Sequence, residues 1–234
     1  MVKDVSAQFL AQVVNNEYSR RILEINELTR QTGIEHGFGV YKMLDEDTAV
    51  YPVYNEHEKY ATGNETSIVI KIDPFFMFHH LTDTNIAYLL LKTHSHPNGT
   101  PIPSLGDLKS IAHTRRKYME SSGLNLKPIS VVTTNYSQDE DLLSIIMFQE
   151  KTDKPLEGNI FYEIESEFLE VFDFRNSPQY IEKVIEGKKY SFLPIDAFFE
   201  GTGFYNALSV HFNKRNGLLI PAPELEKFTN VLNL

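Results

Sequence analysis

The chain has 234 residues, 41% hydrophobic and 23% charged, which is the balance of an ordinary folded protein and more than one typical core needs. A formal net charge of -10 argues against a domain that grips nucleic acid by its phosphates, since such a domain carries a basic patch. Cysteine is absent, which excludes disulfides, thiolate nucleophiles and cysteine-ligated zinc together.

Residues 14–30 predict a helix, because Val14, Tyr18, Ile22, Ile25 and Leu28 recur at spacings of three and four and Gly33 supplies a stop. From Phe38 the pattern changes to short β-type runs, 38–43 and 49–54, joined by the acidic turn Asp45-Glu46-Asp47. The polar stretch 55–66 reads as a loop or insertion, 67–72 as a third strand, and Asp73-Pro74 as the opening of a short apolar helix. Residues 86–92 are apolar until their end, as a buried central strand would be, and run into Thr93-His94-Ser95-His96-Pro97. A loop follows, with a glycine and two prolines over 98–103. A helix over 104–119 then carries Leu108, Ile111, Ala112 and Met119 along one side. Two further strands, 128–133 and 142–148, complete an α/β sandwich over residues 1–150, a mixed sheet flanked by helices.

Residues 151–234 form a C-terminal extension in which 160–172 and 180–185 fit either a strand or an amphipathic segment. Phe198, Phe199 and Phe204 flank a Gly201/Gly203 turn, and 221–234 reads as a loop and helix. The extension is either a recognition or dimerisation module or a set of extra strands and helices that complete the core. The even spread of apolar residues favours the second. The start, Met1-Val2-Lys3-Asp4-Val5, has no apolar run of signal-peptide length, and stretches such as 86–91 are too short to cross a bilayer. A cytoplasmic protein without a membrane partner is the expectation.

Two histidines at i and i+2 on a strand share a face, so His94 and His96 can reach one metal ion. Catalytic zinc takes three protein ligands and a water, and Asp107 is placed to supply the third where the chain folds back into a helix. Two imidazoles and a carboxylate leave such an ion strongly Lewis acidic, able to ionise a water near neutral pH. Ser104-x-x-Asp107 is also a helix-capping pattern, and capping is compatible with ligation. A His-x-His pair alone arises by chance in roughly one chain in four, but with the following proline and a Ser-x-x-Asp at fixed distance the coincidence falls to on the order of one in ten thousand. A metallo-β-lactamase pattern would need Asp and His where Asn98 and Gly99 stand, and an amidohydrolase barrel needs about 250 residues.

The segment His94-Ser95-His96-Pro97, followed by Ser104-Leu105-Gly106-Asp107, resembles the signature of the JAMM family, also called MPN+ or JAB. Its members are zinc isopeptidases that remove ubiquitin or ubiquitin-like modifiers, and bacterial relatives process ubiquitin-like or sulfur-carrier proteins. The family also uses a glutamate after the first helix, at the start of a strand. Glu35, in Ile34-Glu35-His36-Gly37-Phe38-Gly39-Val40, is the matching residue, with Phe38 where the family often has a second glycine. Glu56, Glu58 and Glu65 are rivals by composition, each in the polar loop.

The resemblance covers residues 10 to 150 and implies a cytidine-deaminase-like α-β sandwich holding one Zn2+ per chain. It implies that His94, His96 and Asp107 are the ligands, that Glu35 is general base and then acid, and that Ser104 supports the developing oxyanion. The implied partner is a ubiquitin-like protein or its conjugates, cleaved after a C-terminal glycine, with its tail laid along a sheet edge near residues 55–66. Two alternatives are a non-catalytic scaffold of the same fold and a DNA-repair-associated member. The intact Glu35, His94, His96, Ser104 and Asp107 argue against loss of the site, and the acidic charge argues against direct nucleic-acid binding. Of the other histidines, His79 and His80 diverge on a predicted helix, His113 lies off the Asp107 face, and His36 either tunes Glu35 or sits in a turn.

Overall fold

The structure, a computed structural model, describes residues 17–44, 50–54, 61–63, 86–99, 101–122, 125, 127–135, 140–171, 180–185, 187–192, 194–215 and 219–220. The elements in chain order are α1 (Glu17–Thr32), β1 (His36–Leu44), β2 (Val50–Tyr54), β3 (Ala61–Thr62), β4 (Ile86–Ser95), α2 (Leu105–Ser122), β5 (Ile129–Asn135), β6 (Leu142–Glu150), α3 (Ile160–Val171), β7 (Ile181–Ile185), β8 (Lys188–Phe192), α4 (Ile195–Gly201), β9 (Tyr205–Asn213) and β10 (Leu219–Ile220). Eight strands form one mixed sheet in the order β10-β9-β6-β5-β4-β1-β2, with β3 also on β1. Among the described strands only β4 and β5 run parallel, and the chain makes that crossover through α2. The class is α/β, as the order of elements predicts.

Side-chain alternation builds a core on each face of the sheet. Ile129 and Val131 of β5, Leu143, Ile145 and Met147 of β6, and Leu208, Val210 and Phe212 of β9 pack with Tyr18, Ile22 and Ile25 of α1. On the opposite face, Val132, Ile146, Phe148 and Ala207 pack with Leu108, Ile111 and Ala112 of α2, Phe161 and Ile164 of α3, and Phe199 of α4. All nine residues of β6 are buried, as a strand covered on both faces must be. The predicted spacing of α1 is realised in Tyr18, Ile22 and Ile25. Gly33 ends the helix at φ 71°, its amide donating to Thr29 O at 2.8 Å.

The extension after residue 150 joins this sheet: β9 pairs antiparallel with β6 from Leu142↔Asn213 to Glu150↔Tyr205. A boundary at residue 150 therefore falls between neighbouring strands of one sheet. Residues 160–171 settle as a helix, since Phe161 and Ile164 are buried at i and i+3 while Tyr162 and Glu163 face outward. Residues 181–185 settle as a strand, in a separate hairpin with β8 turned through Gly187 at φ 77°.

The stretch 55–66 is not loop throughout. Ala61 and Thr62 pair with Gly37 and His36, and the Gly63 amide donates to Glu35 O at 2.8 Å. The expected strand at 67–72, the helix at Asp73-Pro74, the final helix at 221–234, and Val14, Glu56, Glu58, Glu65, His79 and His80 lie outside the described residues. Among the described residues no helix is long and apolar enough to cross a membrane.

A buried ion pair fastens the far half of α2. Arg115 is 0% exposed, donating to Glu150 Oε2 at 2.9 Å, Asn125 Oδ1 at 2.8 Å and Thr152 O at 2.7 Å. The other Glu150 oxygen accepts from the Leu156 amide at 3.0 Å, so α2, β6 and the connection to α3 are tied at one point.

Candidate metal centre

The centre lies at the C-terminal end of β4, beside its parallel neighbour β5, where open α/β sheets commonly place their ligands. The ladder to β5 carries on past Ser95: the His96 amide donates to Thr133 O at 2.8 Å, and Thr134 Oγ1 donates to His96 O at 3.1 Å. Pro97, lacking an N–H, follows that last rung, and Gly99 turns the chain at φ 78°.

Along β4 the two faces have different chemistry. Thr93 and Ser95 face α1 in a polar seam. Tyr18 OH and Thr93 Oγ1 are 2.9 Å apart, Ser95 Oγ bonds Thr29 Oγ1, and Asn26 Nδ2 donates to Thr133 Oγ1 at 2.7 Å. His36 belongs to this seam, with Nδ1 3.0 Å from Ile34 O and 3.3 Å from Thr29 Oγ1. On the other face His94 and His96 turn towards α2, their Nε2 atoms 3.1 Å apart.

Asp107 meets them from the first turn of α2. Its Oδ1 is 3.1 Å from His94 Nε2 and its Oδ2 is 3.6 Å from His96 Nε2. Zinc held tetrahedrally by ligands about 2.0–2.1 Å away has edges of about 3.3 Å between ligand atoms. The His94–His96 separation of 3.1 Å is close to that value, and each imidazole faces a different Asp107 oxygen, so the donor set is compatible with such an ion. Glu35 closes the group from just before β1, with Oε1 3.8 Å from His96 Nε2. One ligand atom each from Glu35, His94 and His96 lies within 4.8 Å of the others, a buried trio able to hold a metal. Asp107 Oδ2, at 3.6 Å, and Glu35 Oε1, at 3.8 Å, stand at nearly the same distance from His96 Nε2.

Ser104 positions Asp107 by reciprocal capping. The Ser104 amide and hydroxyl both donate to Asp107 Oδ2 at 2.8 Å, and the Asp107 amide donates to Ser104 Oγ at 3.2 Å. His113 is exposed on α2 and lies outside the group.

Protonation follows from burial and from neighbouring charge. Burial pushes the Glu35 carboxyl up to about 7, with His96 pulling it down and Asp107 pushing it further up. Burial alone would raise Asp107 too, but the two imidazoles outweigh it and hold that carboxyl well below the usual carboxylate range. Burial lowers His94, favouring the neutral ring. An ionised carboxylate and a neutral imidazole are the forms that ligate a metal. Among the described residues His94 Nδ1 has no hydrogen-bond partner, so the usual support behind a metal-binding ring is lacking there.

Sequence reasoning missed Lys92 and Ser110. Lys92 is 5% exposed on the histidine face of β4, and its Nζ donates to Ser110 Oγ on α2 at 2.6 Å. The signal was a lysine two residues before His94, closing an otherwise apolar run. Neither protein-family models nor curated proteins yield a match to this chain.

Proposed function

We propose that the protein is a zinc-dependent isopeptidase or peptidase of the JAMM/MPN+ type, cleaving after the C-terminal glycine of a ubiquitin-like protein. The observation that carries this reading is the gathering of His94, His96 and Asp107 beside a buried carboxyl, Glu35, which burial raises to about 7 in the metal-free site. A bound zinc ion would supply Lewis acidity, acidifying a water and polarising the scissile carbonyl.

The chain's own residues supply the rest. Glu35, 4% exposed and beside His96, takes the proton from the attacking water and returns it to the leaving amine. Ser104, on the exposed lip above Asp107, supports the developing oxyanion by turning its hydroxyl proton away from Asp107 Oδ2, where it rests in the metal-free site. Asp107 keeps the pair of imidazoles in register with α2, and the polar seam beneath β4 fixes the strand that carries them.

Two measurements on purified protein test the reading. Elemental analysis is expected to find about one zinc per chain, lost in His94→Ala. Glu35→Gln is expected to retain metal and fold and to lose cleavage of a ubiquitin-like fusion. A natively folded chain that takes up no zinc would remove the enzyme and leave a scaffold of the same architecture.

A further inference from the structure

Lys92, His94 and His96 leave β4 on one face, because residues two apart on a strand point the same way. Opposite them on α2, Asp107 and Ser110 share a helix face at i and i+3. Strand and helix are thus joined by two rungs, His94 to Asp107 at 3.1 Å and Lys92 to Ser110 at 2.6 Å. The second rung buries an ammonium against a neutral hydroxyl. Burying a charge without a carboxylate in direct contact is costly, and an aliphatic residue would fill the same place for packing alone. Burial lowers the Lys92 ammonium below the usual lysine range, while Asp107 and Glu35 attract it across the group.

We propose that Lys92 sets how tightly the centre holds its metal, its buried ammonium standing as a positive charge that opposes an incoming dication. The inference rests on the reading of His94, His96 and Asp107 as ligands. Standing on the same strand face as His94 and His96, Lys92 offsets part of the negative charge with which Asp107 and Glu35 would draw the metal in. The centre then binds its ion less tightly than the ligands alone would, and the bound ion keeps more positive character. The plain alternative is that Lys92 only fastens α2 to β4. Ser110→Ala removes the fastening and keeps the charge, whereas Lys92→Gln removes the charge and keeps a donor for Ser110.

The test is a titration of the metal-stripped full chain with Zn2+ against a chromophoric chelator. Circular dichroism monitors the fold, and Co2+ absorption monitors the ligand set. Lys92→Gln and Lys92→Met are expected to bind Zn2+ about tenfold or more tightly than the native chain, with an unchanged Co2+ spectrum. Lys92→Arg and Ser110→Ala are expected to stay close to native. Should Lys92→Met fail to fold, Lys92→Gln decides. Native-like or weaker binding by the neutral variants overturns the inference, as does tightening reproduced by Ser110→Ala. A native chain that binds no Zn2+ sinks the metal reading itself, a result distinct from native binding with unaltered variants.

Discussion

Ser104 and Asp107 cap one another, the serine hydroxyl donating to Asp107 Oδ2 at 2.8 Å while the Asp107 amide donates back to Ser104 Oγ at 3.2 Å. The same carboxylate faces His94 through its other oxygen, so one residue caps a helix and stands as a proposed ligand. Ser104→Ala should cost about 1 kcal/mol of stability through the lost cap. It should also weaken Zn2+ binding by about tenfold or more, because Asp107 loses its orientation. Urea denaturation of the metal-free protein and chelator competition measure the two effects. A drop in stability with intact affinity would make Ser104 a cap alone.

Glu35 gives the metal-free protein a pH signature. Its carboxyl is raised from 4.5 to about 7 on folding, so the folded chain keeps a proton that the unfolded chain has released. The resulting stability is complete below the unfolded value of 4.5 and is lost as pH rises through about 7. Asp107 acts oppositely: its lowered carboxyl contributes stability above 3.8 that is lost as pH falls through the folded value. Glu35→Gln should therefore match the native metal-free chain at low pH and exceed it at about pH 8, by on the order of 2 kcal/mol. Urea midpoints at the two pH values, with chelator present, read the difference directly. A gap that does not change with pH would show that the Glu35 carboxyl is not raised.

Arg115 and Glu150 form a fully buried pair whose rupture leaves a charge stranded. Arg115→Met should cost about 3–5 kcal/mol, and the double variant Arg115→Met/Glu150→Leu should recover part of that loss. Recovery stays incomplete because Glu150 also accepts the Leu156 amide. Chemical denaturation of the three variants checks this ordering. A double variant no better than Arg115→Met alone would contradict it.

The hydroxyls of Tyr18 and Thr93 pair across α1 and β4. Tyr18→Phe and Thr93→Val should each destabilise by about 1–2 kcal/mol, and the double variant by less than their sum. A double-mutant cycle is expected to give a coupling of about 1 kcal/mol. Strict additivity would mean that the hydrogen bond contributes nothing in solution.

Legibility from sequence followed distance along the chain. The Tyr18, Ile22 and Ile25 face was readable because helical spacing is local. Asn26 and Thr29 lie buried on that helix too, and no apolar pattern could announce them, since their partners Thr133 and Ser95 are 107 and 66 residues away. His94, His96 and Asp107 were legible as a fixed local spacing, whereas Glu35 rested on resemblance alone. Lys92 and Ser110 are each ordinary residues, and only the folding of α2 over β4 brings them together. Residues 160–171 were ambiguous because a short apolar and acidic mixture fits either period until Phe161 and Ile164 are seen buried.

The pairing of β6 with β9 sets an order of events on the ribosome. When Glu150 has emerged, β6 can dock on β5, but its other side offers a row of unpaired amides and carbonyls until residues 205–213 arrive. The nascent chain must carry that open row through some fifty further residues of synthesis, a window in which sticky intermediates recruit chaperones. A fragment stopping at residue 150 would hold every proposed ligand yet keep the window open permanently. Its expected fate is self-association, with the proposed ligands trapped inside the aggregate.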